Sequence, residues 1–281
     1  MKISMETYVL RDRFNDETAI KMIKKAGFDC YDYSMYWADG AKDMLGDDYK
    51  KRAKELREIA DNLDIECNQA HAPFDICCDD EFEETNERYL RLVRSIEVAS
   101  ILGAKTIIIH VIKKNIPKDM NFYDLNRKFL WSVEPYCKQF GICISVENLF
   151  NWNEKGIPIL SDPNEHMSFV ESLNSKYFNI CIDVGHSAIT GYNPEDVIEA
   201  MNGNVLRALH IHDNDRFADS HMLPFTGSLD WEKIMAALKK INYSGELTME
   251  LTGYQRRLPS ELLQSAINYA ADVARYLASQ V

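Results

Sequence analysis

No run of about 18 apolar residues occurs in this 281-residue chain, so no segment is long enough to span a bilayer as a helix. The opening MKISMETYVL runs into a strand-like pattern with no apolar stretch and small-residue cleavage site, and a secretory leader is not expected. Seven cysteines are present, an odd number, and none are spaced as CxxC. Cys67, Cys143 and Cys181 fall inside apolar runs, where a reduced thiol packs as a small hydrophobe, so a reducing cytoplasmic setting is expected. Positive charge is also short: 32 basic residues face 44 acidic ones, a net −12. Nucleic acid is bound largely by neutralising phosphates with Lys and Arg, so that class of partner is disfavoured. Long linkers and low-complexity stretches are absent as well, which leaves one domain over residues 1–281.

What is present is an alternation repeated eight times. Strand-like runs are expected at 2–9, 28–35, 65–71, 105–111, 142–149, 178–183, 206–212 and 246–252. Between them lie segments with apolar residues three and four apart, such as 49–62 and 84–102. Asn193, Pro194, Glu195 and Asp196 read as a helix start, as do Ser228 to Trp231 and Pro259 to Glu261. Gly27, Gly103 and Gly141 sit where helices should stop. Eight such units, with 46% hydrophobic residues, predict an α/β fold, a (β/α)8 TIM barrel of about 250 residues or more, over a doubly wound open sheet. In a barrel the carboxyl ends of all strands surround one mouth.

Those strand ends carry the chemistry. The runs NQAH, TIIIH, ISVE, ICID, ALHIH and LTME end at His71, His110, Glu147, Asp183, His210 with His212, and Glu250. His186 follows Asp183 by three, and Asp219 and His221 share a loop. Six of the seven histidines therefore belong to this set. The seventh, His166, lies in a predicted helix and is given no role. Glu147, Asp183, His210 and Glu250 form a donor set suited to Mn²⁺, Mg²⁺, Co²⁺ or Zn²⁺. Without a cation, three gathered carboxylates would repel and raise one another's pKa. His210 is preferred to His212 because the run before it matches in length those before Asp183 and His110. His212 then sits farther up, toward a substrate. One cation is expected, with up to three if His71, His110, His186, Asp219 and His221 hold metal themselves and do not merely orient the first set or touch substrate. Two glutamates on a cation suit proton transfer beside a carbonyl, with Glu147 and Glu250 as the pair. Arg216, and Arg256 with Arg257, are candidate clamps for hydroxyls or a phosphate, and Trp37, Phe74 and Trp152 candidate walls of the pocket.

Taken in order, the motifs H…H…E-N…D-x-x-H…H-x-x-D…D-x-H…E resemble the xylose isomerase-like TIM barrels, which include sugar isomerases and epimerases, inosose dehydratases and endonuclease IV. The resemblance covers essentially the whole chain, and HIHDND followed by DSHMLPFTGSLDW is similar to stretches in sugar phosphate isomerases/epimerases. It implies that Glu147, Asp183, His210 and Glu250 match the metal ligands of ketose 3-epimerases, with Glu147 and Glu250 as their acid/base pair. It also implies substrate contacts for His186 and Arg216. Relatives usually carry Pro-Gly-x-Gly where this chain has Pro224, Phe225, Thr226 and Gly227. The reading that follows is a metal-dependent isomerase or epimerase of a small sugar or sugar phosphate, acting through an enediolate. Its alternatives are a polyol dehydratase and an endonuclease IV-like abasic-site phosphodiesterase with a three-metal cluster. The expected partner is a small molecule, not nucleic acid or membrane, with a homo-oligomer left open.

Overall fold

The alternating runs close into a ring of eight parallel strands in the computed structural model, which describes all residues except 37–43, 75–81, 84, 114–115, 117–119, 151–158 and 202–204. The strands are β1 (Ile3–Glu6), β2 (Cys30–Ser34), β3 (Glu66–His71), β4 (Thr106–Ile109), β5 (Cys143–Glu147), β6 (Phe178–Asp183), β7 (Leu206–His210) and β8 (Leu247–Met249). The helices that return the chain outside the ring, or cross its rim, are α1 (Tyr8–Arg13), α2 (Asp16–Ala26), α3 (Tyr49–Asn62), α4 (Glu87–Leu102), α5 (Phe122–Phe140), α6 (Pro163–Ser172), α7 (Val184–Ile189), α8 (Pro194–Ala200), α9 (Trp231–Lys240), α10 (Thr252–Arg256) and α11 (Ser260–Ala278). The sheet order runs β7-β6-β5-β4-β3-β2-β1-β8. Its two ends meet just above β7, where Ile211 N donates to Thr248 O at 2.8 Å and Glu250 N to Ile211 O at 3.0 Å. An open doubly wound sheet has no such closure.

The strands are shorter than the apolar runs because the rim bends away early. At the first run the chain turns at Thr7, whose carbonyl accepts from Arg11 N at 2.9 Å, so Val9 is helical. Gly27, Gly103 and Gly141 do end helices, at φ of 98°, 92° and 68°, the left-handed region that closes a helix without a Cβ clash. Asn86 caps α4, which therefore starts at Glu87. Asn193 precedes α8 as expected, but its side chain donates to Asp196 and caps nothing. Pro259 to Glu261 do start α11, with Pro259 at the cap position and Ser260 the first helical residue.

Period two divides the strand residues between two environments. Ile107, Ile109, Ile144, Val146, Ile180, Ile182, Leu209 and Ile211 face outward into the main core shared with the helices. Ile108, Cys181 and Ala208 form a small separate cluster inside the ring. Toward the amino-terminal strand ends the interior is polar, with Ser4, Asn68, Gln69, Thr106, Ser145, Asn179 and Thr248 all buried. Barrel interiors are usually filled by Val, Ile and Leu. Here the polar groups are satisfied by one another, for example Ser4 Oγ to Asn68 Oδ1 at 2.6 Å and Thr106 Oγ1 to Ser145 Oγ at 2.7 Å.

Candidate metal centre

Glu147, Asp183 and His210 are the last residues of β5, β6 and β7, and Glu250 follows β8 directly. All four are buried. His210 Nδ1 lies 3.1 Å from Glu147 Oε1, 3.3 Å from Glu250 Oε2 and 3.9 Å from Asp183 Oδ2. The four residues singled out in the sequence thus surround one centre. Donor atoms of Glu147, Asp183 and His210 lie within 4.8 Å of one another, as do those of Asp183, His212 and Glu250. Among the described residues no Lys or Arg pairs with these carboxylates, and their ionic neighbours are all histidines. Buried carboxylates with no fixed cationic side chain, converging on an imidazole, fit a hard-to-borderline divalent ion.

Local sequence explains the convergence. The Asp183 carboxylate caps α7, accepting from His186 N at 2.7 Å, so the D-x-x-H spacing delivers both side chains. Asn148 fastens β5 to β6: its Oδ1 accepts from Asp183 N at 2.8 Å and its Nδ2 donates to Asp183 O at 3.1 Å. Gly185 lets His212 close on α7, since a Cβ there would stand 2.0 Å from His212 Cε1. The loop after β7 is gathered by the buried Asp213, whose oxygens accept from Phe225 N at 3.0 Å, Trp231 Nε1 at 2.9 Å and Leu229 N at 3.2 Å. Gly227 is required against this carboxylate, and Gly253 against Ser220 O, because a Cβ at either would stand about 2 Å from those atoms. Phe225, in the same loop, is held at φ 72°.

The second set of expected donors is also drawn in. His71 Nε2 and His110 Nε2 reach Glu147 Oε2 at 3.3 and 2.9 Å. His71 Nδ1 donates to Ala72 O at 2.7 Å, which leaves its Nε2 lone pair for the centre. His186, His212, Asp219 and His221 form a further group within 4.8 Å. His212, expected to sit above the metal donors, lies against Asp183 with Nε2 at 3.0 and 3.1 Å from its oxygens, and stacks on His221 at 4.0 Å.

Charges here are mutually compensating. Burial raises the Asp183 carboxyl, but His186 and His212 outweigh it and hold it near 2. Burial likewise opposes the ionised Glu147, yet His210 and His110 keep it well below the usual range. Burial pushes His110 down to about 4. His186 and His221 go up to about 10 against burial, the first through Asp183 and Asp219, the second through Glu250 and Asp219.

Arg216 is not drawn into these groups. It adopts φ 68° and directs Nη1 to Tyr192 O at 3.5 Å. Arg256 lies over the Tyr8 ring at 5.0 Å, and Arg257 is exposed. Phe74 stacks on Tyr36 at 4.5 Å and on His110 at 5.0 Å, forming one wall; Trp37 and Trp152 lie outside the described residues. His166 is buried in α6 with Nε2 donating to Val146 O at 3.1 Å, a packing role in keeping with its omission.

Sequence reasoning missed four residues. Glu6 ends β1, so ISME follows the same pattern as ISVE and could have been found. It is fully buried, and burial, reinforced by Glu250, raises its carboxyl to about 8. Tyr36 donates to Glu250 Oε1. Asp32 and Gln69 lie inside the ring beneath His210. These three follow no strand-end pattern.

Comparisons with known proteins agree with this architecture. A sequence profile described as xylose isomerase-like TIM barrel matches residues 20–278. An uncharacterized Methanocaldococcus jannaschii protein, MJ1311, is 27% identical over 212 residues, 71% of this chain and 69% of that one. The D-psicose 3-epimerase of Enterocloster bolteae is 35% identical over 92 residues, 33% of this chain and 29% of its own. Among solved structures, D-psicose 3-epimerase with D-tagatose from Clostridium cellulolyticum H10 superposes at TM-score 0.77 and 17% identity, covering 99% of each chain. The IolI protein with a binding zinc atom does so at TM-score 0.71 and 17% identity, covering 99% of this chain and 96% of that one. At such identities the structural likeness establishes the fold.

Proposed function

Because the chain belongs to the xylose isomerase-like TIM barrel family, we propose that it is a divalent-metal-dependent isomerase or epimerase of a small sugar or sugar phosphate. One observation carries this reading. Glu147 and Glu250 arrive from β5 and β8, and each turns a carboxylate oxygen to the same nitrogen of His210, at 3.1 and 3.3 Å. Two carboxylates are thereby set about one centre, the arrangement needed to take a proton from one face of a carbon beside a carbonyl and return it to the other.

Glu147, Asp183, His210 and Glu250 would hold the cation, which when bound would polarise the substrate carbonyl and stabilise the enediolate by several kcal/mol. The remaining work falls to the chain itself. Tyr36 donates to Glu250 Oε1 and so fixes which oxygen, Oε2, is left to move the proton. His110 Nε2, at 2.9 Å, holds Glu147 Oε2, leaving Oε1 facing the centre. With its pKa below the ordinary carboxylate range, Glu147 is ready as a base. Phe74 narrows water access on the His110 side. His186, His212 and Arg216 are the proposed contacts for substrate hydroxyls or a phosphate.

The test is substrate turnover in D2O with a panel of ketoses and their phosphates. Product of unchanged mass that carries one solvent deuteron supports the reading; loss of water would make the protein a polyol dehydratase instead. A Glu250→Gln variant should keep its metal and lose solvent exchange; full exchange in that variant would refute the two-glutamate assignment.

A second reading rests on one specific observation. The donor groups around His71 with His110 and around Asp219 with His221 exceed what a single cation needs. They favour a multinuclear site and an endonuclease IV-like phosphodiesterase, against which stands the net charge of −12. Elemental analysis separates the two when paired with an incision assay on an abasic duplex. About one metal per chain and no incision supports the epimerase; about three with incision supports the hydrolase.

A further inference from the structure

His210 presents Nδ1 to all three carboxylates of the centre, so its hydrogen must reside on Nε2 whenever the Nδ1 lone pair is engaged. That Nε2 is fully buried and has no hydrogen-bond partner among the described residues. A buried N–H left without an acceptor is destabilising, so its surroundings matter. The carboxylate nearest to it is Asp32, also fully buried, with Oδ2 at 3.6 Å and Oδ1 itself unpartnered. The nitrogen is a donor and the carboxylate has acceptor capacity to spare, and a closure of about 0.7 Å would bring Nε2 and Oδ2 to ordinary hydrogen-bond length.

The orientation of Asp32 is set from below by a directed relay. Ser4 Oγ donates to Asn68 Oδ1 at 2.6 Å, and Asn68 Nδ2 donates to Thr248 Oγ1 at 3.1 Å. Thr248 Oγ1 donates to Gln69 Oε1 at 3.2 Å, which leaves the Gln69 amide nitrogen to donate to Asp32 Oδ2 at 2.9 Å. The relay ends on the Asp32 carboxylate, whose ion-pair neighbour among the described residues is His210. The polar barrel interior, where aliphatic packing is the norm, thereby acquires a purpose.

We propose that Asp32, held by Gln69, is the positioning residue of His210: it accepts the Nε2 hydrogen, fixes the imidazole tautomer and aims Nδ1 at the cation. The inference rests on the metal reading above, and it is independent of which substrate is turned over. Partners of this kind typically contribute 10–100-fold to metal affinity.

The experiment uses the full chain with Co²⁺ affinity measured by chelator competition, and Zn²⁺-loaded protein for ¹⁵N NMR of the histidines. Asp32→Asn and Asp32→Ala should weaken Co²⁺ by about 10–100-fold, and Gln69→Leu by a few-fold. The loaded wild type should show His210 protonated at Nε2, its hydrogen exchanging slowly, a signature that a purely structural Asp32 would not set. Affinity within two-fold of wild type in a folded Asp32→Asn protein overturns the proposal. So does a His210 that carries its hydrogen on Nδ1 in the loaded wild type, a readout that needs no variant. Wild type that binds Co²⁺ but converts no sugar removes only the epimerase reading, whereas wild type that takes up no Co²⁺ removes both.

Discussion

Replacing Gly185 by alanine tests how tightly the rim is assembled. The added Cβ would stand 2.0 Å from His212 Cε1, 2.6 Å from Nε2 and 2.7 Å from Nδ1, so the whole ring must withdraw. Reaching an ordinary contact of about 3.4 Å requires a shift of about 1.4 Å. The ring has little room, because it stacks on His221 at 4.0 Å and holds both oxygens of Asp183 at 3.0 and 3.1 Å. Overpacking costs about 1–3 kcal/mol, and losing the hydrogen bond to a buried carboxylate about 1.5–3 kcal/mol. The expected loss for Gly185→Ala is therefore about 3–5 kcal/mol in urea unfolding, with metal content or affinity falling in the surviving folded protein. Gly141→Ala is the matched control: at φ 68° with nothing within 4 Å of its Cβ, it should cost only about 1–2 kcal/mol and leave metal uptake untouched. Equal costs for the two variants, with wild-type metal content in both, would refute the argument that close approach of His212 to α7 assembles the site.

Three further outcomes are expected. His166 is held near a pKa of 4 by burial, against 6.5 when free, so its contribution is intact above pH 6.5 and lost as the pH falls toward 4, where the unfolded chain takes up the proton and the native one does not. Wild type should lose about 3 kcal/mol more than His166→Leu between pH 7 and 4; parallel pH profiles in denaturant unfolding would exclude this. Phe225→Gly should stabilise the fold by up to about 1 kcal/mol, since it removes a left-handed side chain at φ 72° that is largely exposed, and an unchanged or lowered unfolding midpoint would contradict it. Adding Mn²⁺ or Co²⁺ to chelated protein at about 100 times its dissociation constant should add about 2.7 kcal/mol of stability; a melting curve indifferent to every divalent ion tried would count against the metal reading.

The apolar runs and their polar ends were legible because period-two burial and rim chemistry are both local: each strand announces its inner face and its last residue without reference to any other. Hence Glu147, Asp183, His210 and Glu250 could be named one strand at a time, and His71 and His110 with them. Short rim helices such as α1, α7 and α10 left no comparable trace, because five or six residues are too few to display a helical period. Relations between strands were invisible for a different reason. His212 faces the same side as His210 by its period, yet only closure of β7 onto β8 and the bare backbone at Gly185 bring it against Asp183. Asp32 sits inside β2, where it resembles any strand acid, and Tyr36 resembles any core-edge aromatic. Their meaning comes from what lies across the ring, His210 in one case and Glu250 in the other. Sequence alone determined the eightfold alternation of strands and helices and most of the polar side chains at the strand ends, since those follow from short-range periodicity. Which nitrogen faces which oxygen was decided by the tertiary structure, because that depends on residues up to 214 positions apart being held within hydrogen-bond reach.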